Sequence, residues 1–534
     1  MADGMPRSIS DAAAFVSAAL TPKPELMVHA DLTVTARAAL DVLRTDGKTF
    51  ERGGQLVRLI DRPDDVPRVQ TLGEFSLINS VHELVQPGRM ARGKKDAPPT
   101  FEPTTLPKRC ASLALADAGA GFPVLDGVTT APLLTADGTI LNHAGYHSES
   151  RMWCAAMPDV SVPAQPTRND AERALLLIRR KVATFAFGDS QRIQRPGAAS
   201  LVDLTKPPGA DESAFLHGLL TAVCRPSLPL APGLKIDAPA VSGAGVGKGL
   251  AARAICAIAF GTKPAAFTAG DDKAELEKRL GAVLMEAVSA VLLDNFNGTL
   301  KSASLASVLT ERPAWVRVLG RSEMVHLNPV AFFVITGNGL TLAEDLARRF
   351  LSCHLDANTE DPEARPFDPG FLESVLAERA TLLSAALTIW RWGRQNAATL
   401  KRGRPLGSYE TWAKWVRDPL LALGCPDPVE RIAETKADDP MRRRLADLFA
   451  AWWVWHHDMP ITAATMHDDV RAIADPQNRG RQFVATFLAK TVGTRNAGFV
   501  VTSQRPNGKW NATTYAIKRT DIPSPTAALH EVTI

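Results

Sequence analysis

Cysteine, long apolar runs and a surplus of one charge are all scarce in this chain of 534 residues. Its six cysteines, Cys110, Cys154, Cys224, Cys256, Cys353 and Cys425, stand singly without C-x-x-C spacing. That scatter argues against a disulfide framework or a zinc site and reads as buried thiols. No apolar run is long enough to cross a bilayer, and residues 1–30 lack the basic, apolar, small-residue order of a signal peptide. The expected location is therefore the cytoplasm, with no membrane partner. A net charge of +4 is too small to imply a polyanionic partner by itself. What is present in quantity is ordinary globular material, with 45% hydrophobic and 22% charged residues, enough length for three domains and no wholesale disorder.

The most informative stretch is Val241-Ser-Gly-Ala-Gly-Val-Gly-Lys-Gly-Leu250. An apolar approach, a glycine-rich turn and one lysine are how backbone N–H groups and a cation grip phosphate, with the following helix adding its positive end. The usual pattern is G-x-x-x-x-G-K-[ST], and the fit is imperfect. Ser242 replaces the first glycine, and Gly249 stands where a hydroxyl normally meets Mg²⁺. The expected nucleotide contacts are Ser242, Gly243, Ala244, Gly245, Val246, Gly247, Lys248, Gly249 and Leu250, with ATP and Mg²⁺ as cofactors.

Downstream, Ala290-Val-Leu-Leu-Asp-Asn295 reads as a buried parallel strand that delivers Asp294 to its carboxyl edge, where α/β sheets bind ligands and where it would hold Mg²⁺ through water. Val330-Ala-Phe-Phe-Val-Ile-Thr-Gly-Asn338 is a second apolar strand ending in an amide, followed closely by Asp345, Arg348 and Arg349. Strands ending in Lys, Asp and Asn, with paired arginines after them, resemble the AAA+ core of superfamily 3 and minichromosome-maintenance-like helicases. More closely, Leu293-Asp-Asn295, Leu309-Thr-Glu-Arg312, Arg317-Val-Leu-Gly320, Ile335-Thr-Gly-Asn338 and Asp361-Pro-Glu-Ala-Arg-Pro-Phe367 resemble replication proteins of phages and mobile elements, often found with primase-polymerase domains. The resemblance spans residues 165–420 and is thin elsewhere. It implies catalytic roles for Lys248, Asp294, Asn295, Asn338, Arg348 and Arg349, with one arginine reaching a neighbouring subunit's nucleotide in a homo-hexamer. It departs at Asn295, where such ATPases carry a glutamate; an amide can orient water but cannot take its proton.

The expected fold is α/β, an AAA+ P-loop core over residues 166–434 preceded by an α+β collar or DNA-associated domain over 1–165 and followed by a winged helix over 435–534. Residues 29–165 show no catalytic constellation: Phe50–Ile60 predicts a Gly-Gly hairpin, and His143, His147 and Asp126 lack a matching ligand set. Residues 168–186 predict the helix that opens the core. Trp315–Leu319 and Glu323–Leu327 predict a hairpin with Arg321 near its turn, which the resemblance places in a central DNA channel. Arg391, Arg394, Lys401, Arg402 and Arg404 form a basic cluster after the core and a candidate DNA path, whereas the nearby tryptophans read as core. In the last hundred residues, three helical patterns precede strands over 498–503 and 509–517, and Lys490, Arg495, Arg505 and Lys509 are the expected phosphate contacts.

Together these features predict an ATP-dependent DNA helicase or translocase for replication of a phage or integrated mobile element, with DNA and a primase or polymerase as partners. An ATP-switched origin-binding initiator or loader with little unwinding is the alternative, favoured by Gly249 and Asn295. A protein-remodelling ATPase would need an aromatic pore loop, which the sequence does not offer.

Overall fold

The computed structural model describes residues 22–62, 65–91, 98–117, 121–155, 157–195, 198–268, 273–317, 324–366, 368–505 and 512–520. They divide into two compact units. The larger holds the chain up to Gly298 with Ser302–Leu340 and Arg349–Val429; the smaller holds Thr299–Lys301, Thr341–Arg348 and the chain from Glu430 onward. The class is mixed α/β, built on a parallel sheet.

In the larger unit the sheet has five strands, β1 (Gly233–Ala238), β2 (Ala265–Phe267), β3 (Ala290–Leu293), β4 (Phe332–Asn338) and β5 (Phe350–His354), in the order β2-β3-β4-β1-β5. Every neighbouring pair is parallel. Parallel pairing needs covered faces, and the sequence supplies them. Strand β3 is buried throughout, as is β4 up to its last residue. Helix α1 (Ala210–Cys224) is buried along almost its whole length, and the alanine-rich α2 (Lys248–Phe260) buries nine residues. Gly261 ends α2 in the left-handed conformation at φ 67°, the usual helix stop. A third helix, α3 (Arg379–Gln395), puts Leu382, Leu383, Leu387 and Trp390 into the same core. Trp390, Trp412 and Trp415 are buried there, as their spacing predicts.

Register fixes which strand ends meet. Asp237 lies opposite Gly337 on one side of β1 and His354 on the other, and Ala238 lies opposite Asn338. The carboxyl ends of β1 and β4 therefore finish side by side, with β3 next to β4.

Residues 22–165 belong to this larger unit. Helices Leu32–Thr45, Glu74–Leu84 and Lys108–Ala116 enclose a core of Leu40, Leu43, Leu77, Val81 and Cys110. The Gly-Gly hairpin forms, Thr49–Arg52 against Gln55–Arg62, because Gly53 and Gly54 take φ 57° and 76°. The helix expected at 168–186 runs Arg168–Val182, started by a capping box between Thr167 and Asp170. All six cysteines are buried, and burial pushes the thiols of Cys110, Cys154, Cys224, Cys256 and Cys425 up.

One expectation for the larger unit changes, and one falls partly outside the described residues. Arg391 donates to the carbonyls of Gly138, Val162 and Pro163, and Arg394 to that of Ala136, so these two members of the basic cluster clamp an incoming segment. Guanidinium forks suit such carbonyl clusters better than isolated surface charge would. The hairpin before β4 is Ala314–Arg317 paired with Met324–Leu327; Arg321, its expected DNA contact, lies outside the described residues.

The smaller unit has helices Pro440–His456, Asp468–Ala474 and Arg481–Thr491, then antiparallel strands Phe499–Gln504 and Thr514–Arg519. Ile461, between the first two helices, bridges to Tyr515 in the last strand. The core is its own, with Leu448, Phe449, Trp452, Val470, Val484, Leu488 and Ile517 at its centre. The final strand starts at Thr514, not Lys509, and Lys509 lies outside the described residues.

Candidate functional site

The glycine-rich turn leaves β1 at Ala238 and enters α2 at Lys248. Three of its glycines are required by geometry. A Cβ on Gly243 would lie 2.3 Å from the Pro239 carbonyl oxygen and 2.7 Å from Asn338 Oδ1. Gly247, the residue capping α2, takes φ 102°, open to glycine at little cost. Gly245 takes φ 71°, and Glu363 packs so closely over it that a Cβ would lie 2.6 Å from the Glu363 Cβ. Ala244 is exposed, Val246 is buried, and Ser242 and Gly249 are half-buried.

Lys248 is drawn into this turn. Its Nζ donates to the Gly243 carbonyl at 2.6 Å and to Asn338 Oδ1 at 2.5 Å. Burial lowers its pKa below the ordinary lysine value, and the carboxylates of Asp237 and Asp294 oppose that shift. The expected lysine and the expected strand-end amide thus meet directly. Asn338 also donates its backbone N–H to Asn297 Oδ1 at 3.3 Å.

Asp294 follows β3 and is oriented from two sides. The Thr336 hydroxyl donates to its Oδ1 at 2.6 Å, and the Arg253 guanidinium donates to its Oδ2 at 3.1 Å. Asn295 is exposed and takes φ 55°, and its N–H donates to Thr336 Oγ1 at 3.1 Å. The left-handed backbone accounts for the asparagine: Asn tolerates it several-fold better than most side chains do. A glutamate at 295 would be strained there.

The paired arginines part company. Arg349 is 8% exposed, and its carbonyl accepts from the Gly233 N–H at 2.9 Å, tying β5 to β1. Such burial is at odds with a reach into a neighbouring subunit. Arg348 is exposed and faces Asp345 at 3.8 Å, three residues back.

Four further residues join the site without having been singled out in the sequence. Thr336 and Arg253 hold Asp294, as above. Arg365 donates to the Val246 carbonyl in the turn at 3.2 Å, and Arg192 lies across an open cavity of about 720 Å³ lined also by Phe185, Leu250 and Phe371. Burial, helped by the charge of Arg365, lowers the Arg192 pKa to about 10. Two guanidinium groups thus line a cavity beside α2, a concentration of positive charge that suits an anion. Arg365 and Thr336 had a sequence signal, since they belong to the Asp361–Phe367 and Ile335–Asn338 segments; Arg253 and Arg192 had none.

Comparison with known proteins adds little. No protein-family model matches the chain, and no curated protein does. Among solved structures the chain is similar to "The A form apo structure of NrS-1 C terminal region-CTR", at 12% identity and a TM-score of 0.34, covering 90% of this chain and 98% of that one. It is also similar to "SCCmec type IV Cch - active helicase", at 10% identity and a TM-score of 0.32, covering 87% of this chain and 90% of that one. Likeness at that level carries no argument about residues, so the site rests on its own geometry.

Mg²⁺ does not fit the residues present in its customary way. P-loop enzymes hold the ion between a hydroxyl following the lysine and an acidic strand end. Here the first is Gly249, and the second, Asp294, has both oxygens engaged by Thr336 and Arg253.

Among the described residues of the smaller unit, Arg481, Lys490, Arg495 and Arg505 are exposed, the first two on the helix Arg481–Thr491. No helix among the described residues is long and apolar enough to cross a membrane.

Proposed function

We propose that this chain is a P-loop ATPase of the AAA+ class that drives a DNA helicase or translocase in the replication of a phage or integrated mobile element. The observation that carries this reading is the meeting of Lys248 with Asn338 and Gly243, one strand away from Asp294, at the carboxyl edge of a parallel sheet. Ligands of open α/β sheets bind at that edge. The order β2-β3-β4-β1-β5 sets β4 between β1 and β3, so the three motif-bearing strand ends are neighbours.

ATP is the substrate. The turn's N–H groups and Lys248 would hold its β- and γ-phosphates, and the Arg192/Arg365 cavity is on hand for the rest of the nucleotide. Of the two arginines after β4, the exposed Arg348 is the better one to serve a neighbouring subunit in a hexamer. DNA binding falls to the smaller unit: helix, strand bridge, two helices and hairpin follow the order of a winged helix, with Arg481–Thr491 as the groove-entering helix. Lys490, Arg495 and Arg505 are its proposed phosphate contacts, together with Lys509, which lies outside the described residues. Residues 22–165 are proposed as a collar, and a primase or polymerase as a partner.

One observation favours the second reading, an ATP-switched initiator or loader. Asn295 cannot accept a proton, and its left-handed backbone disfavours a glutamate in its place, which slows hydrolysis unless another acid serves. Negative-stain images of the chain with ATP and a forked DNA, together with a strand-separation assay, decide between them. Rings on the fork with steady unwinding support the motor. ATP-dependent rings on duplex DNA without unwinding support the initiator, and no nucleotide-dependent assembly contradicts both.

A further inference from the structure

On α2, Arg253 stands four residues after Gly249, one turn along the same face. A Cβ added to Gly249 would lie 2.5 Å from the nearer Arg253 terminal nitrogen and 3.8 Å from Asp294 Oδ1. The guanidinium thus fills the space that a serine or threonine side chain would take, while its other terminal nitrogen pairs with Asp294 at 3.1 Å. The missing hydroxyl and the arginine are one exchange. Between the position after the P-loop lysine and the acidic strand end, where a divalent cation customarily sits, this chain carries a built-in monovalent cation.

We propose that the Arg253 guanidinium takes the place of Mg²⁺ in nucleotide binding, so that this chain binds ATP without a divalent cation. The inference rests on the nucleotide-site reading above. A guanidinium is planar, permanently charged and able to offer two parallel N–H donors to phosphate oxygens, and its role as counter-cation requires no hydroxyl at 249. Asp294, locked by Thr336 on its other oxygen, serves as the anchor that aims the fork. Arg253 is one-third exposed, so it faces the open side of the site and not the core.

The test is ATP binding by calorimetry to the full chain, once in excess EDTA and once in excess MgCl₂. The parent should bind within about threefold equally in both, because its own cation does the ion's work. Arg253→Met removes that cation and frees Asp294; it should bind about tenfold more weakly in EDTA and regain most of the loss with MgCl₂. Arg253→Met combined with Gly249→Ser restores both space and hydroxyl, and should show the strongest dependence on MgCl₂. A melting curve for each variant confirms folding. A parent whose affinity rises about tenfold or more with MgCl₂, with an Arg253→Met variant that behaves identically, overturns the inference and leaves the nucleotide site standing. Loss of binding in both media by a folded Arg253→Met also overturns it, since the ion then cannot substitute. Failure of the parent to bind ATP in either medium overturns the nucleotide site itself.

Discussion

Thr336→Val is the most telling single change outside the phosphate turn. Thr336 is 1% exposed in the middle of β4, and its hydroxyl bridges Asp294 Oδ1 at 2.6 Å and the Asn295 N–H at 3.1 Å. Valine keeps the shape and removes both bonds. A hydrogen bond to an ionised group contributes about 1.5–3 kcal/mol and a neutral one about 1 kcal/mol, so the loss should total about 2–4 kcal/mol. In a unit of this size that lowers Tm by about 2–5 °C. Asp294, held then by Arg253 alone, would lose its orientation, and ATP turnover should fall about tenfold, equivalent to about 1.4 kcal/mol of transition-state stabilisation. Thr336→Ser, which retains the hydroxyl, should recover most of the turnover while losing only a methyl group's packing. The assay pairs calorimetric melting with steady-state ATP hydrolysis. A Thr336→Val protein as stable and as active as the parent would refute the claim that this hydroxyl organises the acidic strand end.

The remaining predictions concern charge. The His354 pKa is raised by its hydrogen bond to Asp237 Oδ1 at 3.2 Å, with Asp211 and Asp356 nearby acting in the same direction. A raised folded-state value means that its stabilising share is complete at pH below the ordinary histidine range and is lost as pH rises through the raised value. Melting temperature should therefore fall between about pH 6 and pH 8, and His354→Gln should flatten that slope. Mixing Arg348→Ala protein with Lys248→Ala protein should partly restore turnover if Arg348 serves a neighbour's nucleotide; verified mixed oligomers without recovery count against that role. The isolated segment 430–534 should bind duplex DNA with a log–log salt slope of about −2 to −4, from three or four phosphate contacts, and salt-insensitive binding would remove its DNA role.

The parts of the site that were legible in the sequence are those whose signal is local. Gly243, Gly247 and Lys248 sit in a motif whose spacing is set by the turn itself, and Asp294 and Asn338 end apolar runs that only a buried parallel strand explains. Thr336 lies inside such a run, and its hydrogen-bonding role was hidden because its partners Asn295 and Asp294, just past β3, are 41 and 42 residues away. Arg253 reads as one polar residue on an alanine-rich helix; only the Cβ position at Gly249 shows what it replaces. Arg391 and Arg394 mislead for the opposite reason: a run of positive charge looks solvated until the carbonyls they cap are brought in from more than 200 residues earlier. The packing of residues 22–165 against the rest of the larger unit was equally hidden. It depends on contacts such as Arg52 with the Leu284 carbonyl at 2.5 Å, which no composition shift announces. Asn295 is a middle case, legible as a departure from a glutamate but explained only by its positive φ.

The central claim, that the turn at 242–250 grips a nucleotide through Lys248, is tested most directly by equilibrium binding of ATP to the parent and to Lys248→Ala at matched melting temperature. Lys248 contacts the Gly243 carbonyl and Asn338 in a half-buried pocket, so its loss should leave the fold intact. The account predicts saturable binding to the parent and a loss of about a hundredfold or more in the variant, the scale of removing about 3 kcal/mol of charge-assisted contact. Equal affinity in the two proteins would contradict it.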